Sequence, residues 1–256
     1  DGIIHPQILD YIRSDYPLAI SLLGTYAYQI LGKIDDTSVL LFSTSFLISL
    51  SLLSFSNIKK YFGMSYALLF TFLLITTQNF IRHGGRLEAG QADLALGYYI
   101  FSCAVLLIEY LKKSNPKILL LLSIFLGITG LIKFEGVVFT IIIVCILLYH
   151  IYRTKLYNHV WFLLCWLIPI FDWQMYKTAH GLSTNYFSAH PVELSLQKIT
   201  SSIFGTVKEL FNIKTWSMLW IIYFYTLIFI KNKRQKTILL LNGIILIQLS
   251  VYLLIY

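Results

Sequence analysis

His83-Gly84-Gly85-Arg86-Leu87-Glu88-Ala89-Gly90-Gln91-Ala92-Asp93 is the polar stretch that decides the fold of this chain. Apolar runs long enough to cross a bilayer flank it, over residues 63–81 and 93–111. Its ionisable groups therefore sit where the chain leaves and re-enters lipid. At that depth a charge is costly unless it faces water, a partner or a ligand. Three glycines let the backbone turn tightly and approach a bound group closely. The expectation is a loop on the floor of a site at the membrane surface.

The composition agrees. Of 256 residues 57% are hydrophobic and 12% charged, and the mean hydropathy is +0.73. A soluble domain of this size needs more charge to cover its surface. The apolar runs are continuous rather than alternating, which excludes the barrel pattern. The expected fold is an all-α, polytopic transmembrane helical bundle with outer-face surface helices, a single domain over residues 1–256. The chain opens at Asp1 without a Met and stops at Tyr256 inside an apolar run, so a piece of a longer protein is expected. Cys103, Cys145 and Cys165 fall inside apolar runs without pairing or ligand spacing and read as small apolar residues.

A crossing needs roughly 20 apolar residues. Eight candidates meet or approach that: 38–57, 63–81, 93–111, 117–132, 137–152, 159–173, 216–230 and 237–256. The turns between them alternate in character. Asn57–Tyr61, Lys112–Lys117, Arg153–Asn158 and Lys231–Lys236 hold eleven basic residues, and the only acid near them is Glu109. The other eleven acids and nine Lys and Arg lie on the opposite side, giving +10 on one face and −2 on the other. Positive loops stay in the cytoplasm. The net charge of +8 is thus a topology signal, and nucleic acid is not an expected partner. The cell membrane is the expected location, and the frequent Ile, Lys and Asn suggest an AT-rich bacterial source, hence an inner membrane.

Two outer segments read as surface helices. In the outer loop 1–36, Asp15-Tyr16-Pro17 has the pattern of a helix start. Leu18, Leu22, Leu23, Tyr26, Ile30 and Leu31 follow at helical spacing up to Gly32, too short a run to span. In the long outer loop 174–215, Leu196, Ile199, Ile203, Val207 and Leu210 mark one face of a helix and Lys198, Lys208 and Glu209 the other. The five Trp residues lie near span ends, as in an aromatic belt.

The unusual polar groups collect on the outer side. Arg82 and Arg86 offer guanidiniums to a phosphate, and Glu88 and Asp93 offer carboxylates to a proton or a divalent metal. The plainer alternative is a solvated loop with Asp93 starting a helix. Gly130-Leu131-Ile132-Lys133-Phe134-Glu135-Gly136 interrupts an apolar stretch from Ile118 to Arg153. It is either a hairpin turn whose Lys133 and Glu135 reach up to water, or a site that sets the Lys133 ammonium beside an anionic lipid head group. Asp15 either caps its helix or lines the same outer cavity. Lys177, in the long outer loop, is a further cation. No catalytic triad, metal-ligand spacing or nucleotide-type Gly-rich motif is present in the sequence.

Several of these pieces together resemble a known group. Asp15-Tyr16-Pro17-Leu18 with its apolar helix ending in Gly32 resembles the "DYPLL…G" segment of integral-membrane glycosyltransferases of the GT-C superfamily. The likeness is to those grouped with dolichyl-phosphate-mannose–protein mannosyltransferases and their bacterial relatives. Gln91-Ala92-Asp93-Leu94-Ala95-Leu96 resembles their "yaDlpl" span start, and Gly127 to Gly136 their "Gl…lt-K-x-E-G" turn. His180-Gly181-Leu182 through Trp216 is similar to their outer loop. The motifs are short, and their order and spacing carry the match. The resemblance implies transfer of a sugar from a polyprenyl-phosphate-linked donor, on the outer face, to a glycan, lipid or protein acceptor. It also implies that the main catalytic Asp belongs upstream of Asp1. Arg82, Arg86, Lys133, Glu135 and Lys177 are then substrate-binding candidates. Glu88, Asp93 and Asp15 are catalytic ones, and a divalent metal remains open. Competing readings are a multispan transporter or lipid flippase, an O-antigen ligase or polymerase, and a non-enzymatic scaffold.

Overall fold

A computed structural model describes residues 19–85, 92–179, 196–229 and 242–246. Helix α1 (Ala19–Leu31) ends at Gly32, whose φ of +66° lies in the left-handed region that suits glycine. Asp35 caps helix α2 (Asp36–Phe62), its side chain accepting from the Thr37 N–H at 3.1 Å. The Thr37 side chain first, then the Lys33 ammonium and the Thr37 N–H, hold the Asp35 carboxyl below its ordinary value of 3.8. The turn expected at Asn57–Tyr61 is instead the last part of α2. Asn57 turns its amide back onto the Leu53 carbonyl at 2.8 Å, so the helix continues through it. Gly63, at φ +92°, is the whole corner to helix α3 (Met64–Thr76).

The span expected at 63–81 is broken at Thr77. Helix α4 (Gln78–Gly85) leaves α3 at an angle of 64°. Thr77 is extended and fully buried, and its hydroxyl donates to the Leu73 carbonyl at 2.7 Å. A side chain thus satisfies a carbonyl at the break, as the lipid interior demands. The polar stretch also differs from expectation: His83, Gly84 and Gly85 are helical. Gly84 serves packing there. A Cβ at Gly84 would meet Leu47 at 2.6 Å, and the Gly84 carbonyl accepts from the Thr44 hydroxyl at 2.8 Å, pinning α4 to α2.

The centre of the fold is three helices: α5 (Ala92–Lys113), α6 (Pro116–Ile132) and α7 (Phe134–Thr154). Asn115 and Pro116 start α6 as a cap and a first-turn proline should. Leu107, Leu119, Leu122, Leu126, Ile143 and Leu147 are fully buried between the three. Lipid tails are as apolar as leucine, so such helices hold together by close packing and polar contacts. Here Thr140 donates to the Leu126 carbonyl at 2.8 Å, and Ser123 to the Leu163 carbonyl at 2.6 Å.

After Lys155, in the left-handed region at φ 58°, the expected span 159–173 is not one rod. It runs as a 3₁₀ turn (Tyr157–His159), helix α8 (Val160–Leu163), a second 3₁₀ turn (Leu164–Trp166) and helix α9 (Leu167–Ala179). Pro169 has no N–H to give to the carbonyl four residues back, which loosens the helix there. Gly127 of α6 then lets this irregular backbone come close: a Cβ on Gly127 would lie 2.8 Å from Pro169 and 3.0 Å from the Trp166 carbonyl. Helices α10 (Leu196–Leu210), α11 (Ile213–Trp216) and α12 (Leu219–Phe229) follow. The long outer segment thus holds its expected amphipathic helix, with Ile203, Phe204 and Val207 exposed. Ser217, at φ 55°, separates α11 from α12, so the span expected from 216 begins at Leu219. Most of the expected span 237–256 lies outside the described residues, apart from helical residues 242–246.

The regular elements among the described residues are all helical. Among the described residues three stretches are long and apolar enough to cross a membrane: Leu40–Phe62, Ala92–Lys113 and Phe134–Thr154. The bent pair α3 and α4 makes a fourth if it is one crossing. Helix α6 has 17 residues, about 26 Å at 1.5 Å per residue. The chain is a multi-pass, all-α membrane protein. Of the eight expected crossings, the described residues thus give three unbroken ones and this bent fourth.

Candidate active site

The fold brings Asp93, Lys133 and Glu135 together at one end of the central helices. Asp93 stands in the first turn of α5, where a carboxylate is favoured by the helix dipole. Lys133 is the single extended residue between α6 and α7, at φ −156° and ψ 158°. Glu135 is in the first turn of α7. The hairpin is this tight because the Gly136 N–H donates to the Lys133 carbonyl at 3.0 Å. It is also tight because Gly136 has no side chain: a Cβ there would fall 2.0 Å from the Thr129 carbonyl oxygen.

Lys133 Nζ donates to Asp93 Oδ1 at 2.6 Å and stands 3.8 Å from Glu135 Oε1. The Asp93 side chain is 44% exposed, that of Lys133 14% and that of Glu135 5%. One ammonium therefore lies between a wet carboxylate and a buried one, with a net formal charge of −1. Removing Lys133 would take away the ammonium 3.8 Å from the buried Glu135 carboxylate, and breaking a buried ion pair is destabilising. The cluster thus has a structural role whatever else it does.

Its chemistry follows from exposure. Asp93 is open to water and to an incoming hydroxyl. Lys133 has three N–H donors, and one given to a phosphate oxygen would weaken its hold on Asp93 and leave that carboxylate readier to accept a proton. A hard divalent ion wants six or more oxygens, whereas Asp93 and Glu135 supply two carboxylates already engaged with an ammonium. Among the described residues no group of three His, Cys, Asp or Glu is placed for a metal. Glu88, the other carboxylate expected to hold a metal, lies outside the described residues.

The other expected residues fall out as follows. Arg82 is exposed in the last turn of α4, a helix that packs against α5. Next to it His83 buries Nδ1 without a hydrogen-bond partner among the described residues. Arg86, Glu88 and Asp15 lie outside the described residues. Lys177, expected in the long outer loop, is instead in the last turn of α9 and only 7% exposed, with its ammonium 6.0 Å from the centre of the Trp173 ring. That is the geometry of a cation–π contact.

The charge pattern puts Asp93 and Lys133 at one rim of the membrane, but it does not pair them directly. Lys133 and Asp93 are forty residues apart in the chain, and no local pattern links them. The sequence reading missed what the glycines of α6 and α7 do. The available signal was small and hydroxylated residues recurring inside apolar runs, as at Ser123, Gly127, Thr129, Gly130, Gly136 and Thr140. Such residues mark close helix contacts in membranes. No known protein family, curated protein or solved structure matches the chain.

Proposed function

We propose that this chain is part of a membrane glycosyltransferase of the GT-C type. It would move a sugar from a polyprenyl-phosphate donor to a glycan, lipid or protein acceptor on the outer face of a bacterial inner membrane. The observation that carries the reading is the Asp93–Lys133–Glu135 cluster. It sets a cation for a lipid phosphate beside a water-exposed carboxylate at the ends of membrane-spanning helices. In the reaction the acceptor hydroxyl oxygen bonds to the anomeric carbon, and the bond from that carbon to the phosphate oxygen breaks. The polyprenyl phosphate leaves with the electron pair, and the hydroxyl proton passes to a carboxylate. Lys133, with Arg82 and Arg86, would stabilise charge developing on the phosphate. Asp93 or Glu88 would assist the upstream Asp that the resemblance implies, by holding or relaying the proton. Asp15 is the remaining carboxylate candidate.

The test is sugar transfer from a polyprenyl-phosphate sugar by the full-length protein in proteoliposomes. Lys133→Arg keeps the buried charge of Glu135 compensated, yet should lower transfer by about tenfold, equivalent to roughly 1.4 kcal/mol. Wild-type turnover in a folded Lys133→Arg protein would remove the residue from the site. One observation favours a second reading, a transporter. The span broken at Thr77 has the character of the discontinuous helices that line transport pathways. In the same liposomes, flux of a lipid-linked sugar without any transfer would select it.

A further inference from the structure

We infer that the basic rim where α2 and α5 end is a binding site for the phosphate of an anionic phospholipid in the adjoining leaflet. This is independent of the chemistry at Lys133, which lies at the other end of α5. Five side chains meet there in a built arrangement. Glu109, whose side chain is 16% exposed, accepts from Lys60 on one oxygen and from Lys113 on the other, the latter at 2.8 Å. The Tyr61 hydroxyl donates to Glu109 at 3.2 Å. Lys112 donates to the Tyr61 oxygen at 3.3 Å, with its ammonium 4.6 Å from the centre of the Tyr61 ring.

The single carboxylate does not neutralise the patch. Lys60, Lys112 and Lys113 against Glu109 leave a surplus of two positive charges, and Lys59 at the end of α2 adds a third. The Lys60 and Lys113 side chains are 54% and 61% exposed. Each ammonium has three N–H donors, so bonds to Glu109 leave donors for a phosphate. Phe62 and Met64, on either side of the Gly63 corner and close in the chain to Lys59 and Lys60, are exposed apolar groups. Ammonium groups next to an apolar wall at the edge of a membrane fit an anionic head group with its acyl chains. An acidic soluble peptide would leave that wall uncovered. Glu109 and Tyr61 fix the spacing of the lysines, which distinguishes a site from a loose cationic fringe.

The experiment is native mass spectrometry of the full chain from detergent micelles holding equal phosphatidylglycerol and phosphatidylcholine. The expected result is preferential retention of phosphatidylglycerol by about fivefold or more, falling to near parity in Lys112→Gln/Lys113→Gln. Tyr61→Phe removes one oxygen, leaves every charge in place, and should lower the preference by about twofold or more. It keeps the test decisive if the double variant fails to fold. Equal retention of the two lipids by the wild type would overturn the site. So would a preference lost with the lysines but untouched by Tyr61→Phe, which would mean a diffuse field. Displacement of the lipid by millimolar inorganic phosphate would assign the patch to a free anion and overturn the lipid reading.

Discussion

Replacing Gly136 by alanine adds one methyl group at the glycine with the least room among those described. That carbon would sit 2.0 Å from the Thr129 carbonyl oxygen and 2.8 Å from its carbon, with Leu96 Cδ1 at 3.1 Å. Ordinary contact begins at 3.4 Å, so α6 and α7 must part by about 1.4 Å. The obstacle is backbone inside a helix and cannot rotate away. Overpacking costs about 1–3 kcal/mol, and a backbone clash belongs at the upper end. At about 2–4 °C per kcal/mol for a chain of this length, the apparent melting temperature should fall by about 6–12 °C. The measurement is thermal unfolding in detergent, run beside three other glycines. Gly127→Ala meets Pro169 and the Trp166 carbonyl and should rank second. Gly130→Ala meets the movable end of Ile170 and should cost less. Gly97→Ala meets nothing within 4 Å and should be neutral or stabilising by up to about 1 kcal/mol, as for alanine in a helix interior. Gly136 is also three residues from Lys133, and a shift of 1 Å in a reacting group can cost about a hundredfold in rate. Transfer should therefore fall further than folded protein does. Wild-type melting in Gly136→Ala, or equal losses at Gly136 and Gly97, would refute the packing argument.

The other expectations are simpler. Asp93→Asn and Lys133→Gln should be non-additive in melting temperature, since each removes one charge of the same 2.6 Å ion pair. A double-mutant cycle showing independent effects would mean the pair is not formed in the membrane. Tyr110→Phe loses the bond between the Tyr110 hydroxyl and His159 Nδ1, at 2.9 Å. It should cost about 1 kcal/mol in unfolding experiments. Asp35 has its carboxyl held below the usual value by Thr37 and Lys33. Its contribution to the start of α2 is present above pH 3.8 and should be lost as the pH falls through the lower folded-state value. An acid titration of melting temperature, in which Asp35→Ala lacks that loss, checks the sign. Ser123→Ala removes the 2.6 Å bond to the Leu163 carbonyl. It should therefore destabilise by about 1 kcal/mol in the same unfolding assay.

The sequence by itself determined the class of this protein and the ends of its central helices. Hydropathy is a local property, and a segment in lipid must satisfy its own backbone, so an apolar run of sufficient length is a helix wherever it packs. The charge pattern likewise showed which ends share a side: Lys60 meets Glu109 and Lys113 at one rim, and Asp93 meets Lys133 at the other. Tertiary structure decided what those ends do. That Lys133 lies against Asp93 depends on how closely α6 and α7 approach, which rests on a missing methyl group at Gly136. The breaks at Thr77 and around Leu164–Trp166 were invisible to hydropathy, because an apolar run reads the same whether it bends or not. Gly84 read as a turn residue and proved to be a helix contact. A glycine permits both, and only the neighbour, Leu47, tells them apart.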